Sequence, residues 1–155
     1  MSIAFVREYM KAYHRDADII ELTKTTATVE LAAIALDTKP ERIAKTMAFM
    51  TKEEALVIVC AGDRKIDNHK YKQFFGVKAK MLHGDDVEKY TNHEPGGVCP
   101  FALPEETKVY LDLSLQRFDY VYPACGSANS AIRLSCDELF ELVPNAQWID
   151  VCKPI

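Results

Sequence analysis

Thr46-Met47-Ala48-Phe49-Met50-Thr51-Lys52-Glu53-Glu54-Ala55-Leu56-Val57-Ile58-Val59-Cys60 is the stretch that decides the fold class. Two apolar runs, 46–50 and 55–60, flank the polar break Thr51-Lys52-Glu53-Glu54. The spacing predicts a pair of strands. The second run has no polar side chain before its cysteine, so it is expected to be buried on both faces. Around this pair the pattern changes repeatedly. Val6, Tyr9, Met10 and Tyr13 recur at three- and four-residue steps, the signature of a helix face over residues 3–13. Ile19-Ile20-Glu21-Leu22 reads as a short strand. Thr28 can cap a helix with apolar positions at Leu31, Ala32, Ile34, Ala35 and Leu36. Thr38-Lys39-Pro40-Glu41 has capping-box spacing with proline in the first turn, and predicts a short helix through Ile43 and Ala44.

On the other side of the pair, Asp67 can cap a helix that ends at Gly76. Residues 77–82 read as a strand, and Asp85-Asp86-Val87-Glu88 opens a short helix. Residues 108–113 alternate as a strand, and 119–124 and 131–134 read as two more. Ser135-Cys136-Asp137-Glu138 is a second capping box, and 148–152 is expected to close the chain as a strand. Short helices placed irregularly among six to eight strands predict a mixed α/β sheet rather than a regular βαβ array. There is no GxGxxG.

The chain has 155 residues, 48% of them hydrophobic, enough for a single domain spanning 1–155 with a real core. A net charge of −4 argues against nucleic-acid binding by bulk charge. No apolar run approaches the ~20 residues that span a bilayer, and the charged start of the chain shows no signal peptide. A cytoplasmic location without membrane contact is expected. The five cysteines form no CxxC pair and the four histidines show no HExxH or HxxxH spacing. Reduced, packed thiols are expected, with no metal and no cofactor.

Several segments are candidates for chemistry. Lys45 stands between a predicted short helix and a strand, among small and apolar residues, where its ammonium could serve as a point charge in a pocket. A snorkelling lysine with a wet head is the plainer alternative. Pro95-Gly96-Gly97-Val98-Cys99-Pro100-Phe101 frames a turn that could present successive backbone N–H groups to an anion or an oxyanion. It could equally be a plain loop. Ala124-Cys125-Gly126-Ser127-Ala128-Asn129-Ser130-Ala131 could line a pocket for a small polar ligand, or be a tight hairpin turn. Arg64, Lys65, Lys70, Lys72, Lys78 and Lys80 form a local basic stripe broken only by Asp67, suited to a phosphate backbone or to a solvated helix face. Cys99 with His93 six residues upstream could be drawn as a thiol–imidazole pair, which would require contact and an orienting third group.

Taken together, the alanine-rich segment 27–36, Ile43-Ala44-Lys45-Thr46, Ala61-Gly62-Asp63-Arg64-Lys65-Ile66-Asp67, Gly96-Gly97-Val98-Cys99-Pro100-Phe101, Val109-Tyr110-Leu111-Asp112 and Ala124-Cys125-Gly126 before Ala131-Ile132-Arg133-Leu134 resemble the YbaK/EbsC family. This is the prolyl-tRNA synthetase-associated, INS-type editing domain. The resemblance covers nearly the whole chain. It implies a mixed, mostly antiparallel, partly barrel-like sheet surrounded by helices. It also implies a trans-acting deacylase for mischarged aminoacyl-tRNA, often tRNA(Pro), using water as the nucleophile. The family's lysine falls on Lys45 and its GxxxP loop on Gly96 to Pro100. Lys45, Gly96, Gly97 and Val98 are then the expected catalytic residues. Pro100, Phe101, Asp112, Gly126, Ser127 and Asn129 are expected to bind substrate, and Arg64, Lys65, Lys70 and Lys72 the tRNA. The expected partners are the acceptor end of the aminoacyl-tRNA and prolyl-tRNA synthetase, with the chain a monomer or weak dimer.

The chain departs from the family pattern near Leu22-Thr23, where an aromatic residue is missing, and at Ala131, where an acid is usual. These departures leave cysteine, alanine, serine and threonine all open as the amino acid removed. Two other readings stay open from the residues alone. One is a non-catalytic module that binds aminoacyl-tRNA or an amino acid in the same pocket. The other is a small-ester or thioester hydrolase that uses Cys99.

Overall fold

The computed structural model describes residues 2–155, with side chains described from residue 3. In chain order the elements are α1 (Ser2–Lys11), β1 (Ile20–Glu21), α2 (Val29–Ala35), β2 (Ile43–Thr51), β3 (Glu54–Ala61), β4 (Arg64–Ile66), α3 (Asn68–Phe75), α4 (Asp85–Thr91), β5 (Lys108–Asp112), β6 (Tyr122–Pro123), β7 (Ser130–Ala131), α5 (Cys136–Leu142), β8 (Gln147–Ile149) and β9 (Cys152–Pro154). The predicted strand pair is the centre of the molecule. β2 and β3 form a long antiparallel hairpin from Ala44↔Ala61 to Thr51↔Glu54. They lie inside a curled five-stranded half-barrel of order β6-β2-β3-β5-β8. Three of the sheet's four pairings are parallel, β6 with β2, β5 with β3 and β8 with β5, and the β2–β3 hairpin is its antiparallel one. The mixed, partly barrel-like sheet with short helices expected from the sequence is the class observed. The expectation of mostly antiparallel pairing is corrected for this sheet, whose flanking strands β6, β5 and β8 all join in parallel.

β3 is buried on both faces, as its unbroken apolar run demands. Val59 and Ala61 enter one cluster with Leu111, Leu115, Ile132 and Leu139. Leu56, Ile58 and Cys60 enter another, with Phe49, Tyr71 and Ile149. Local signals place the helices. The Thr28 hydroxyl accepts from Leu31 N–H (3.1 Å) at the start of α2. The Asp67 carboxylate accepts from the N–H groups of His69 (3.0 Å) and Lys70 (3.2 Å) at the start of α3. At α5 both halves of the capping box form between Ser135 and Glu138.

Some expectations are corrected. The spacing at Thr38 gives only a single 3-10 turn, Pro40–Arg42, with no side-chain cap, and Ile43 and Ala44 open β2 instead of continuing a helix. The apolar face predicted for α2 is half wrong, because Ala32 and Ala33 are buried while Leu31 and Ile34 are 41% and 69% exposed. Residues 77–82 are not a full strand. They meet β2 only around Phe49↔Met81, where Met50 N–H donates to Lys80 O and Leu82 N–H to Ala48 O (both 3.0 Å). The closing segment splits into β8 and β9 around Asp150.

Candidate active site

A cleft of about 270 Å³ opens between α2, the first half of β2, residues 96–98 and the β6–β7 turn. Lys45 lines it and is part-buried. Its ammonium has no hydrogen-bond or ion-pair partner among the described residues. Gly96 and Val98 line the same cleft, as do Thr26, Ala27 and Val29 on one wall and Tyr122, Ala124, Ser130 and Ala131 on the other. Among the described residues, Lys45 is the only charged side chain in the wall, and no Cys, His, Asp or Glu lines it.

The predicted turn is built by close backbone packing. Gly96 sits at φ +92°, in the left-handed region. At Gly97 an added Cβ would meet Gly126 C and Ser127 Cα at 2.9 Å, so only glycine lets the two turns touch. Gly97 is nevertheless corrected as a donor to substrate. It does not line the cleft, and its N–H is spent on Glu94 O (3.0 Å) within the turn. Gly96 and Val98 retain N–H groups with no partner among the described residues.

The residues predicted downstream of that turn lie elsewhere. Phe101 is fully buried in the core, against Tyr9 at a ring distance of 6.3 Å. Pro100 is buried beside a different cavity, next to Tyr9, Pro104 and Tyr110. Asp112 is 2% exposed, and its carboxylate accepts from Ser114 N–H (2.9 Å) and Val151 N–H (3.0 Å), tying β5 to the β8–β9 turn. It is a structural brace, because both oxygens are committed to the backbone.

The 126–130 turn supports the cleft from behind. Ser127 bonds Ser130 (2.6 Å), and the Asn129 side-chain amide donates to Leu22 O (2.9 Å) while the Asn129 backbone carbonyl accepts from Leu22 N–H (2.8 Å). Gly126 packs on Gly97. None of the three lines the cleft, whereas their neighbours Ala124, Ser130 and Ala131 do. The basic stripe is not in the cleft either. Arg64 pairs with Asp63 (3.2 Å), and Lys70 pairs with Asp150 (3.0 Å) and donates to Cys152 O (3.1 Å). Lys65 and Lys72 are exposed, with no ion-pair partner among the described residues.

Cys99 and His93 do meet, Sγ to Nε2 at 3.3 Å, but deep in the core. Burial pushes the Cys99 thiol up to about 12 and pulls His93 below its ordinary value. His93 Nε2 also lies 2.7 Å from Phe101 O. The pair is neutral and closed to substrate, the reverse of an activated thiolate, so the hydrolase reading built on Cys99 is set aside. No group of three or more Cys, His, Asp or Glu side chains able to hold a metal ion occurs among the described residues. Among the same residues, no helix is long and apolar enough to cross a membrane.

Much of the wall falls in segments the sequence singles out: 27–36, 43–46 and the small-residue turn ending at Ser130 and Ala131. Ala27, Ile43, Thr46 and Ser130 are nevertheless not named there as site residues, and Thr26 and Tyr122 have no motif of their own. For two of them the usable signal is adjacency to residues already singled out: Thr46 follows Lys45, and Ser130 follows Asn129.

Comparison with known proteins places the chain in a family and a fold. Residues 23–142 match the family model described as an aminoacyl-tRNA editing domain. The chain is 48% identical over 154 residues to the uncharacterized protein YwhH of Bacillus subtilis, covering 99% of this chain and 98% of that one. It is 26% identical over 126 residues to EbsC of Enterococcus faecalis, provisionally named a Cys-tRNA(Pro)/Cys-tRNA(Cys) deacylase, covering 80% and 76%. A crystal structure provisionally described as a trans-editing enzyme for prolyl tRNA synthetase superposes with a TM-score of 0.88 at 24% identity, covering 98% and 97%, which establishes likeness of fold.

Proposed function

This chain belongs to the aminoacyl-tRNA editing domain family, and from that premise we propose that it hydrolyses, in trans, the ester of mischarged aminoacyl-tRNA. The substrate we assign is tRNA(Pro) carrying a small wrong amino acid: cysteine, alanine, serine or threonine. The observation that carries this reading is an uncommitted ammonium, Lys45, in a small cleft whose walls, among the described residues, contain no cysteine, no His, Asp or Glu to activate a wall hydroxyl, and no other charge.

Such a site suits an aminoacyl ester. The ester is already activated, so hydrolysis needs positioning and charge stabilisation more than a covalent intermediate. Lys45 holds the phosphate or ribose of the terminal adenosine. The free N–H groups of Gly96 and Val98 face the ester oxygens. Water, aided by the adenosine 2′-hydroxyl, adds to the carbonyl carbon. The tetrahedral oxyanion collapses, the bond to the ribose oxygen breaks, and that oxygen takes up the proton. Free amino acid and intact tRNA leave. The walls of Thr26, Ala27, Val29 and Ala131 limit what fits. The setting is the cytoplasm, where tRNA is charged, and prolyl-tRNA synthetase is the partner that would present the tRNA.

The test is release of labelled amino acid from tRNA(Pro) charged with each of the four candidates. Turnover of at least one is expected. Binding of all four without release of any would instead favour a non-catalytic module that uses the same cleft.

A further inference from the structure

β2 is a strand whose outer edge is covered in two places and open between them. β6 pairs with it only at Ile43 and Ala44. Residues 80–82 pair with it from Ala48 onward, through Leu82 N–H to Ala48 O and Met50 N–H to Lys80 O. Those two bonds show that the N–H and C=O groups of Ala48 and Met50 point away from β3. Backbone groups in a strand alternate with period two, so Thr46 points the same way. Thr46 is the single outward-facing position left between the two covers. Neither its N–H nor its C=O has a hydrogen-bond partner among the described residues. Thr46 lines the cleft beside Lys45.

An unpaired strand position offers one donor and one acceptor, spaced to match one amino-acid unit. In an antiparallel pair, two facing residues can exchange both N–H···O bonds. An aminoacyl ester carries the complementary set: an ammonium that donates and a carbonyl that accepts. Among the described residues the cleft also contains no carboxylate to meet that ammonium, and its one charge is positive. A neutral carbonyl is the kind of acceptor such a wall can offer, and a bond from a charged donor to it is among the stronger kinds.

We propose that the Thr46 peptide holds the aminoacyl group as one added strand residue, its C=O accepting from the α-ammonium and its N–H donating to the ester carbonyl oxygen. The carbonyl oxygen has two lone pairs, so this bond is compatible with a second donor from the 96–98 turn. Recognition of this kind reads the amino-acid backbone, common to every candidate, and leaves the side chain to the pocket walls.

This proposal rests on the deacylase reading, and its test separates the two. Alanyl-tRNA(Pro) is compared with the same tRNA esterified by isobutyric acid, where a methyl replaces the ammonium. Each rate is taken relative to spontaneous hydrolysis of that ester. The alanyl ester should be accelerated roughly 10- to 100-fold more, the worth of one hydrogen bond to a charged group. Equal acceleration of both would overturn the proposal while leaving the deacylase reading intact. If neither ester is hydrolysed, the deacylase reading fails for alanine, and binding decides the matter. The Thr46 amide NMR signal is then followed on adding 3′-deoxy-3′-alanylamino-adenosine. A shift with slowed solvent exchange supports the strand-edge contact, and an unmoved, fast-exchanging amide overturns it.

Discussion

Cys99 and Asp112 show how burial separates a reactive side chain from a structural one. Both are residue types that chemistry favours, and both stand in segments the sequence singles out. Cys99 is fully buried with its thiol pushed up to about 12, so it carries essentially no thiolate near neutrality. Cys99→Ser is therefore expected to leave deacylation near the wild-type rate, as measured by single-turnover release of amino acid. Loss of activity in a folded Cys99→Ser would revive a thiol mechanism. Asp112 spends both oxygens on backbone N–H groups. Asp112→Asn places an amide NH₂ against one of those donors, and should cost about 1–3 kcal/mol in urea unfolding with unchanged turnover per folded molecule. Lys45 was legible through the family resemblance, since its surroundings alone fit a snorkelling lysine as well. Thr46 was not, because its proposed contribution comes from the peptide rather than the side chain, and every residue has one.

Elements were legible where a local signal fixed them. The β2–β3 hairpin follows from two apolar runs around a polar break, and α2, α3 and α5 from side-chain caps that the structure contains. Removing a cap should cost a matching amount. Thr28→Ala is expected to lower stability by about 1 kcal/mol in thermal or urea unfolding, since α2 has only seven residues to hold it. The strands read at 19–22, 119–124 and 131–134 shrink to the two-residue β1, β6 and β7, because the length of their pairing is set by distant partners rather than local pattern. The Pro40 turn shows another error, a good helix-start spacing overruled when the next residues are claimed by the sheet. The two glycine turns that close the cleft depend on mutual contact. Gly97→Ala would drive a methyl into the backbone of Gly126 and Ser127, which cannot swing aside as a side chain can. It should cost about 1–3 kcal/mol and disturb the cleft wall, so activity per folded molecule should fall as well. A Gly97→Ala protein with native stability would contradict this packing.

At the scale of the molecule, charge and shape divide the work. A net charge of −4 offers little general attraction for tRNA, and the cleft supplies a single ammonium. The exposed lysines outside it, Lys65 and Lys72, are proposed to meet the tRNA backbone away from the reacting ester. Docking should weaken as salt rises from about 50 to about 200 mM. Charge reversal at both lysines should raise KM with kcat unchanged. An unaltered KM would mean that the tRNA body is met by another face. The fold class was readable from the sequence because one hairpin dominates it. The cleft was readable only in outline, because residues from 26 to 131 reach it through the curl of the sheet and no spacing along the chain records that.

The central claim is that this cleft hydrolyses an aminoacyl ester with Lys45 as its one essential charge. It is tested most directly by deacylation of mischarged tRNA(Pro) with wild-type protein and Lys45→Ala, side by side, with circular dichroism and thermal unfolding run on both. The predicted result is rapid release by the wild type and release at the spontaneous rate by a Lys45→Ala protein of unchanged fold. A folded Lys45→Ala variant that releases amino acid as fast as the wild type would contradict the account.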